Sequence, residues 1–94
     1  GGDGIDVDNA IAVGITDNTV FLSGNNGIEL SDALLANVDG NEVYGALNDG
    51  INVNNVVGLS VDNNTVGFVG GDGIDVNNVL GASINGNTVF AALN

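Results

Sequence analysis

The stretch Gly4-Ile5-Asp6-Val7-Asp8-Asn9-Ala10-Ile11-Ala12-Val13-Gly14-Ile15-Thr16-Asp17-Asn18-Thr19-Val20 returns three more times, each copy displaced by 23 residues without gap or insertion. Gly4 reappears as Gly27, Gly50 and Gly73, and Ile5 as Ile28, Ile51 and Ile74. Asn18 reappears as Asn41, Asn64 and Asn87, and Val20 as Val43, Val66 and Val89. A fixed period in the twenties marks a solenoid, in which each repeat buries its apolar face only against its neighbours. The phase divides residues 1–94 into coils 1–23, 24–46, 47–69 and 70–92 of one domain, with 93–94 opening a fifth.

Within a unit, three short strands and three turns are expected. Gly4 to Asp8 alternates apolar and polar residues, the period of a half-buried strand, so Ile5 and Val7 point inward and Asp6 and Asp8 outward. The pair Asp8-Asn9, like Asn54-Asn55 and Asn77-Asn78, reads as a turn. A second strand is predicted over Ile11 to Ile15, with Ile11, Val13 and Ile15 inward. Its outward residues are small (Ala12 and Gly14, Gly58 and Ser60, Gly81 and Ser83), with Leu35 the exception. The corner Thr16-Asp17-Asn18 and its copies hold residues that tolerate left-handed backbone. A third strand over Thr19 to Ser23 keeps Val20 inward and carries an aromatic stripe at Phe21, Tyr44 and Phe90. Gly67 interrupts that stripe beside Phe68, and a Gly/Asn/Asp corner then restores the phase.

Composition narrows the partners. The 94 residues carry 12 acidic groups and no Lys, Arg or His, for a net charge of −12. Phosphate contacts depend on Lys and Arg, so nucleic acid is excluded, and anionic membrane surfaces with it. No apolar run approaches the ~20 residues of a membrane span, so no insertion is expected. Without Cys, neither disulfides nor thiol chemistry mark a redox compartment. The opening at Gly1, without a Met, is what a processed or excised product shows. Regular placement of Ile, Val and Leu argues for a packed core rather than disorder, despite the charge. A chain without Lys or Arg offers no trypsin-like cleavage site, and one without Met or Cys offers little to oxidants, traits that suit an extracellular material.

The spacing G-I-x-V-x7-I-x2-N-x-V, complete at Gly4 to Val20 and again at Gly73 to Val89, resembles the parallel β-helix repeats of the NosD and pectate-lyase-like superfamily. The resemblance covers the whole chain. It implies an all-β fold, a right-handed, three-sided parallel β-helix of four coils; enzymes of this fold usually close the open ends with a helix or an irregular cap, and here uncapped ends are expected instead. Coils about 4.8 Å apart would stack equivalent residues in columns, with Asn18, Asn41, Asn64 and Asn87 as an amide ladder. A leucine-rich-repeat template also fits Ala10 to Val20, but the strand-like Gly4 to Val7 occupies the place of that fold's convex helix. Gly1 to Asp6 and Gly70 to Asp75 match the first six positions of a calcium-binding nonapeptide, and the match fails at Asp8 and Asn77.

Three features are candidates for chemistry. The outward column Asp6, Glu29, Asn52 and Asp75 lies on the strand that lines the groove in enzymes of the superfamily. Asp6 and Asp8, ~7 Å apart along a strand, fall in the range of paired glycosidase acids. There is no Arg, Lys or His to serve a lyase, the pair is not repeated in the third coil, and uniform turns build no cleft walls, so no catalysis is expected. A cation, with calcium the one candidate cofactor, would find oxygens at Asp3, Asp6, Glu29, Asp72 and Asp75; the alternative is that these carboxylates are simply solvated. Phe21, Tyr44, Phe90 and Leu93 offer apolar area for self-association. The expectation is a structural, self-assembling solenoid, a subunit or repeat segment of an extracellular filament stacked head to tail and packed laterally with copies of itself. The alternative is a carbohydrate- or surface-binding module of an adhesin or polysaccharide-active protein.

Overall fold

A computed structural model describes residues 2–93. Among them there are strands and turns but no helix. The first coil holds β1 (Ile5–Asp8), β2 (Ala12–Thr16) and β3 (Thr19–Phe21), and the second holds β4 (Ile28–Ala33), β5 (Leu35–Asp39) and β6 (Glu42–Tyr44). In the third and fourth coils the first two strand positions run on as β7 (Ile51–Asp62) and β9 (Ile74–Asn85). The third positions are β8 (Thr65–Val69) and β10 (Thr88–Ala92).

Every pairing is parallel. Ile5 pairs with Ile28, Ile28 with Ile51 and Ile51 with Ile74, so the register between coils is the sequence period itself. Val20, Val43, Val66 and Val89 pair in the same way along the third side. The molecule is a four-coil parallel solenoid in which like residues meet in columns.

The aliphatic columns fill its interior. Ile28, Leu30, Val38, Val43, Ile51, Val53, Val61 and Val66 are fully buried in the two middle coils. Their counterparts in the outer coils are less covered: Ile5 and Val7 are half-buried, and Ile84 and Val89 are 45% and 44% exposed. The Ile5 and Val7 columns are therefore sealed at the middle and part-open at both ends, whereas the Ile15 and Val20 columns are buried in coil 1 and open only at coil 4.

The column of Gly4, Gly27, Gly50 and Gly73 follows from the narrow cross-section. A Cβ on any of them would collide with Cγ1 of the Val on the third strand of the same coil. The first strand can press against the third only where no side chain intervenes.

The corners sit at three left-handed columns. Asn9, Asp32, Asn55 and Asn78 make the first, with φ between 54° and 59°. Asp17, Gly40, Asn63 and Gly86 make the second. The third is Leu22, Gly45, Phe68 and Ala91, two residues before the Gly/Asn/Asp corner expected from sequence, and it carries bulky residues at positive φ. Two corners also hold acid groups, Asp17 and Asp32, so turning is not confined to uncharged residues.

The first corner corrects the expected phase of the second strand. Ile11 is 73% exposed, and its counterparts Leu34, Val57 and Leu80 are 53%, 46% and 72% exposed. The left-handed residue at Asn9 reverses the alternation, so Ala10, Ala33, Val56 and Val79 turn inward instead, while Val13 and Ile15 remain inside.

Leu22 offers a direct test of corner strain. A left-handed non-glycine residue costs about 1–2 kcal/mol, against which glycine loses about 0.5–1 kcal/mol of chain freedom. Leu22 is 84% exposed at φ 58°, and Gly45 already stands in its column. Leu22→Gly is expected to stabilise the chain by about 0.5–1 kcal/mol, read as a higher urea midpoint. A lower midpoint would show that the Leu22 side chain is anchored rather than strained.

Candidate functional site

The second corner is built around an amide ladder. Asn41 is fully buried, and its Oδ1 accepts the backbone N–H of Asn18 at 3.0 Å and Asn18 Nδ2 at 3.1 Å. Its Nδ2 donates to Asn64 Oδ1 at 2.9 Å and to the Ile15 carbonyl at 2.8 Å. Asn64 repeats the pattern on Asn87 Oδ1 and the Val38 carbonyl, and Asn87 Nδ2 reaches the Val61 carbonyl. An amide has two donors and two acceptor lone pairs, and Asn41 uses all four. The reason is local. The left-handed turn at position 17 takes backbone groups out of the inter-coil ladder, and the next coil's Asn replaces the missing partners.

The ladder has a direction. Each Asn gives its backbone N–H and one amide hydrogen to the Asn of the following coil, and its other amide hydrogen and its oxygen to the preceding one. Asn18 consequently turns its Oδ1 away from coil 2, and Asn87 keeps one amide hydrogen beyond coil 4.

A second column of this kind was hidden in the sequence by its mixed composition. Asp3 Oδ1 accepts the Asn26 N–H at 2.9 Å, Asn26 Oδ1 the Asp49 N–H at 3.0 Å, and Asp49 Oδ1 the Asp72 N–H at 2.8 Å. Its polarity is opposite to that of the first, since here the later coil donates. Only an Asx oxygen at this corner is needed, and Asp and Asn supply it equally. The column of Asp6, Glu29, Asn52 and Asp75 lies beside it.

Together the two columns form two carboxylate groups. Asp3, Asp6 and Glu29 place one oxygen each within 4.8 Å of one another, and so do Asp49, Asp72 and Asp75. All five sequence candidates for a cation fall in these groups, and Asp49, 9% exposed, is the member that sequence reasoning missed. Glu29 Oε1 accepts Asn26 Nδ2 at 2.8 Å and Asn52 Nδ2 at 3.2 Å, so amides insulate the two groups from each other. Three single oxygens are half or fewer of the six to eight that calcium takes, leaving water to complete a shell.

The aromatic stripe is continuous despite Gly67. Phe21 stacks on Tyr44 with centroids 5.6 Å apart. The Phe90 ring lies over Gly67, where any Cβ would strike it, and reaches Tyr44 at 6.2 Å and Phe68 at 5.3 Å. Phe21 and Phe68 remain about two-thirds exposed, and Leu93 is 82% exposed. Below the stripe, Gly45, Leu47, Phe68, Gly70 and Leu93 line an open apolar groove of about 430 Å³. The aliphatic column of Ile11, Leu34, Val57 and Leu80 forms a second exposed stripe at the first corner. Asp6 and Asp8, the pair with a glycosidase-like spacing, stand exposed on β1 with no walls around them.

Comparison with curated proteins found no match, and comparison with solved structures found none. A family model described as the right-handed β-helix region matches residues 1–92. That match is to the β-helix region in general and does not single out the NosD branch. It gives the coil its right hand and spans all four repeats: the chain belongs to the right-handed β-helix family.

Proposed function

We propose that this chain is a structural solenoid whose coils stack end to end, in a longer polypeptide or between copies, to build an extracellular filament. One observation carries the reading: the two end coils present complementary halves of the same interface. The Ile5 and Val7 columns end half-exposed on both faces, at Ile5 and Val7 in coil 1 and at Ile74 and Val76 in coil 4, and coil 4 also leaves Ile84 and Val89 exposed in columns sealed in the middle coils. The Asn18 oxygen at one end and the Asn87 amide at the other match in sense, as do the two strand edges. Strand edges of this kind add further strands through backbone bonds, with side-chain columns setting register. The aromatic stripe and Leu93 supply lateral area for bundling. The acidic columns keep the particle soluble and offer calcium a place to cross-link.

Catalysis forms no part of this reading, which is supported by a sequence without Lys, Arg or His and by uniform turns. The extracellular assignment is supported by the lack of trypsin-sensitive and oxidisable residues.

The test is electron microscopy and size-exclusion chromatography of the purified chain across concentration. Unbranched filaments one solenoid wide, or bundles of them, are expected at high salt, and discrete monomers at every concentration from low to about 1 M salt would refute the reading. A second reading, a carbohydrate- or surface-binding module, is favoured by the unbroken aromatic stripe beside an apolar groove. Binding on a glycan array that is lost in Tyr44→Ala, from a chain that stays monomeric, would select it.

A further inference from the structure

A count of charges along each step between coils separates the end-to-end joint from every step inside the molecule. Between coils 1 and 2 a single pair of acids faces across the register, Asp6 on Glu29. Between coils 2 and 3 it is Asp39 on Asp62, and between coils 3 and 4 it is Asp49 on Asp72. At all other column positions an acid meets Asn, Ser, Thr or Gly. If coil 4 of one copy meets coil 1 of the next in the same register, Asp72 faces Asp3 and Asp75 faces Asp6. Two acid pairs then lie side by side. Behind them stand Asp49 on one copy and Glu29 on the other, each within its own carboxylate group. The amides of Asn26 and Asn52, which insulate these groups within one molecule, lie on the far side of both and do not reach the joint. Asp8 of the next copy falls over Asn77, and no Lys, Arg or His exists anywhere in the chain to offset the charge.

We propose that the joint between copies is a charge gate, held open by Asp72 against Asp3 and Asp75 against Asp6, and closed when these carboxylates are neutralised or screened. The proposal rests on the end-to-end stacking argued above and adds its regulation. Its sign follows from the contact itself. Like carboxylates at the ~4.8 Å spacing of a sheet repel, so each pair opposes closure and the joint strengthens as the charges are screened or removed. Exposed charges are also screened within a few ångströms at about 1 M salt, so high ionic strength closes the same joint at neutral pH.

The molecule itself supplies the neutral replacements. Asn26 and Asn52 occupy the two columns in coils 2 and 3, and Asn26 Oδ1 accepts the next backbone N–H as Asp49 Oδ1 does. The double variant Asp72→Asn with Asp75→Asn therefore keeps the hydrogen bonding and removes both repulsions. Asp39→Asn with Asp62→Asn removes the same charge from a step inside the chain and serves as the control.

The experiment measures light scattering and electron micrographs of the three purified chains at pH 7 from low to 1 M salt. Circular dichroism at each condition ensures that only folded material is scored. The wild type and the control are expected to form filaments at high salt and to disperse in low salt. The joint variant is expected to form them throughout, with a critical concentration at pH 7 lower by about tenfold or more. Filaments with the same salt dependence in wild type and joint variant overturn the gate and leave stacking intact. A control that matches the joint variant overturns it too, because total charge would then be the cause. Folded monomers in all three chains under every condition overturn stacking and the gate together.

Discussion

Gly50→Ala is expected to destabilise the chain by about 3 kcal/mol or more, the upper range for overpacking a sealed interior. The new Cβ would collide with Val66 Cγ1 and sit 2.6 Å from the Gly73 carbonyl oxygen. That oxygen already accepts the Ile51 N–H at 2.9 Å, so it cannot retreat without breaking the inter-coil ladder. Val66 is fully buried and has nowhere to turn. Urea denaturation followed by circular dichroism reads the effect. Gly14→Ala is the matched control, because a Cβ there meets nothing within 4 Å, and it should leave stability within about 0.5 kcal/mol. Adding Val66→Ala to Gly50→Ala should restore only part of the loss, since the carbonyl contact survives. An unchanged midpoint in Gly50→Ala would mean that the first and third strands are not in contact.

Asn41→Leu is the second large effect, with an expected loss of about 3 kcal/mol, the upper end for leaving buried polar groups unpaired. The substitution fills similar volume but strands the Ile15 carbonyl, the Asn18 backbone N–H and the Asn18 amide, and withdraws one of the two donors to Asn64 Oδ1, the other being the backbone N–H of residue 41. Asn18→Leu should cost less than half as much, because Asn18 is only half-buried and its Oδ1 carries no bond within the chain. Equal losses at the two sites would show that Asn acts only as a turn former and not as a link between coils.

The features legible in the sequence were those in which one residue type holds one column. The Gly4 and Asn18 columns are invariant because each has a single physical solution: no side chain where two strands touch, and an amide where both a donor and an acceptor are required. The position after the first corner was not legible. Ala10 and Ile11 are both apolar in all four coils, and simple alternation back from Val13 selects Ile11 for the interior. The left-handed turn at Asn9 reverses that choice, and turn geometry leaves no trace in hydrophobic periodicity. The column of Asp3, Asn26, Asp49 and Asp72 escaped for a different reason. It needs only an oxygen acceptor, so Asp and Asn alternate and look like variable turn residues. Asp49 was passed over as a consequence, although a search for any acceptor-bearing residue at a fixed phase would have found it.

The Gly67 gap was visible, but its purpose was not. Only the packed structure shows the Phe90 ring lying across it, which keeps Tyr44 in contact with the last coil. A missing side chain here is room for a neighbour's.

Uniform register also governs which changes in length the molecule can absorb. Excising or duplicating one whole unit returns every downstream side chain to its former column, so chains of three, five or more units should share the same cross-section. Inserting a single residue at a strand instead rotates everything beyond it onto the wrong wall. Growth and loss by copying errors are thereby quantised, and such a protein changes its length far more readily than its girth.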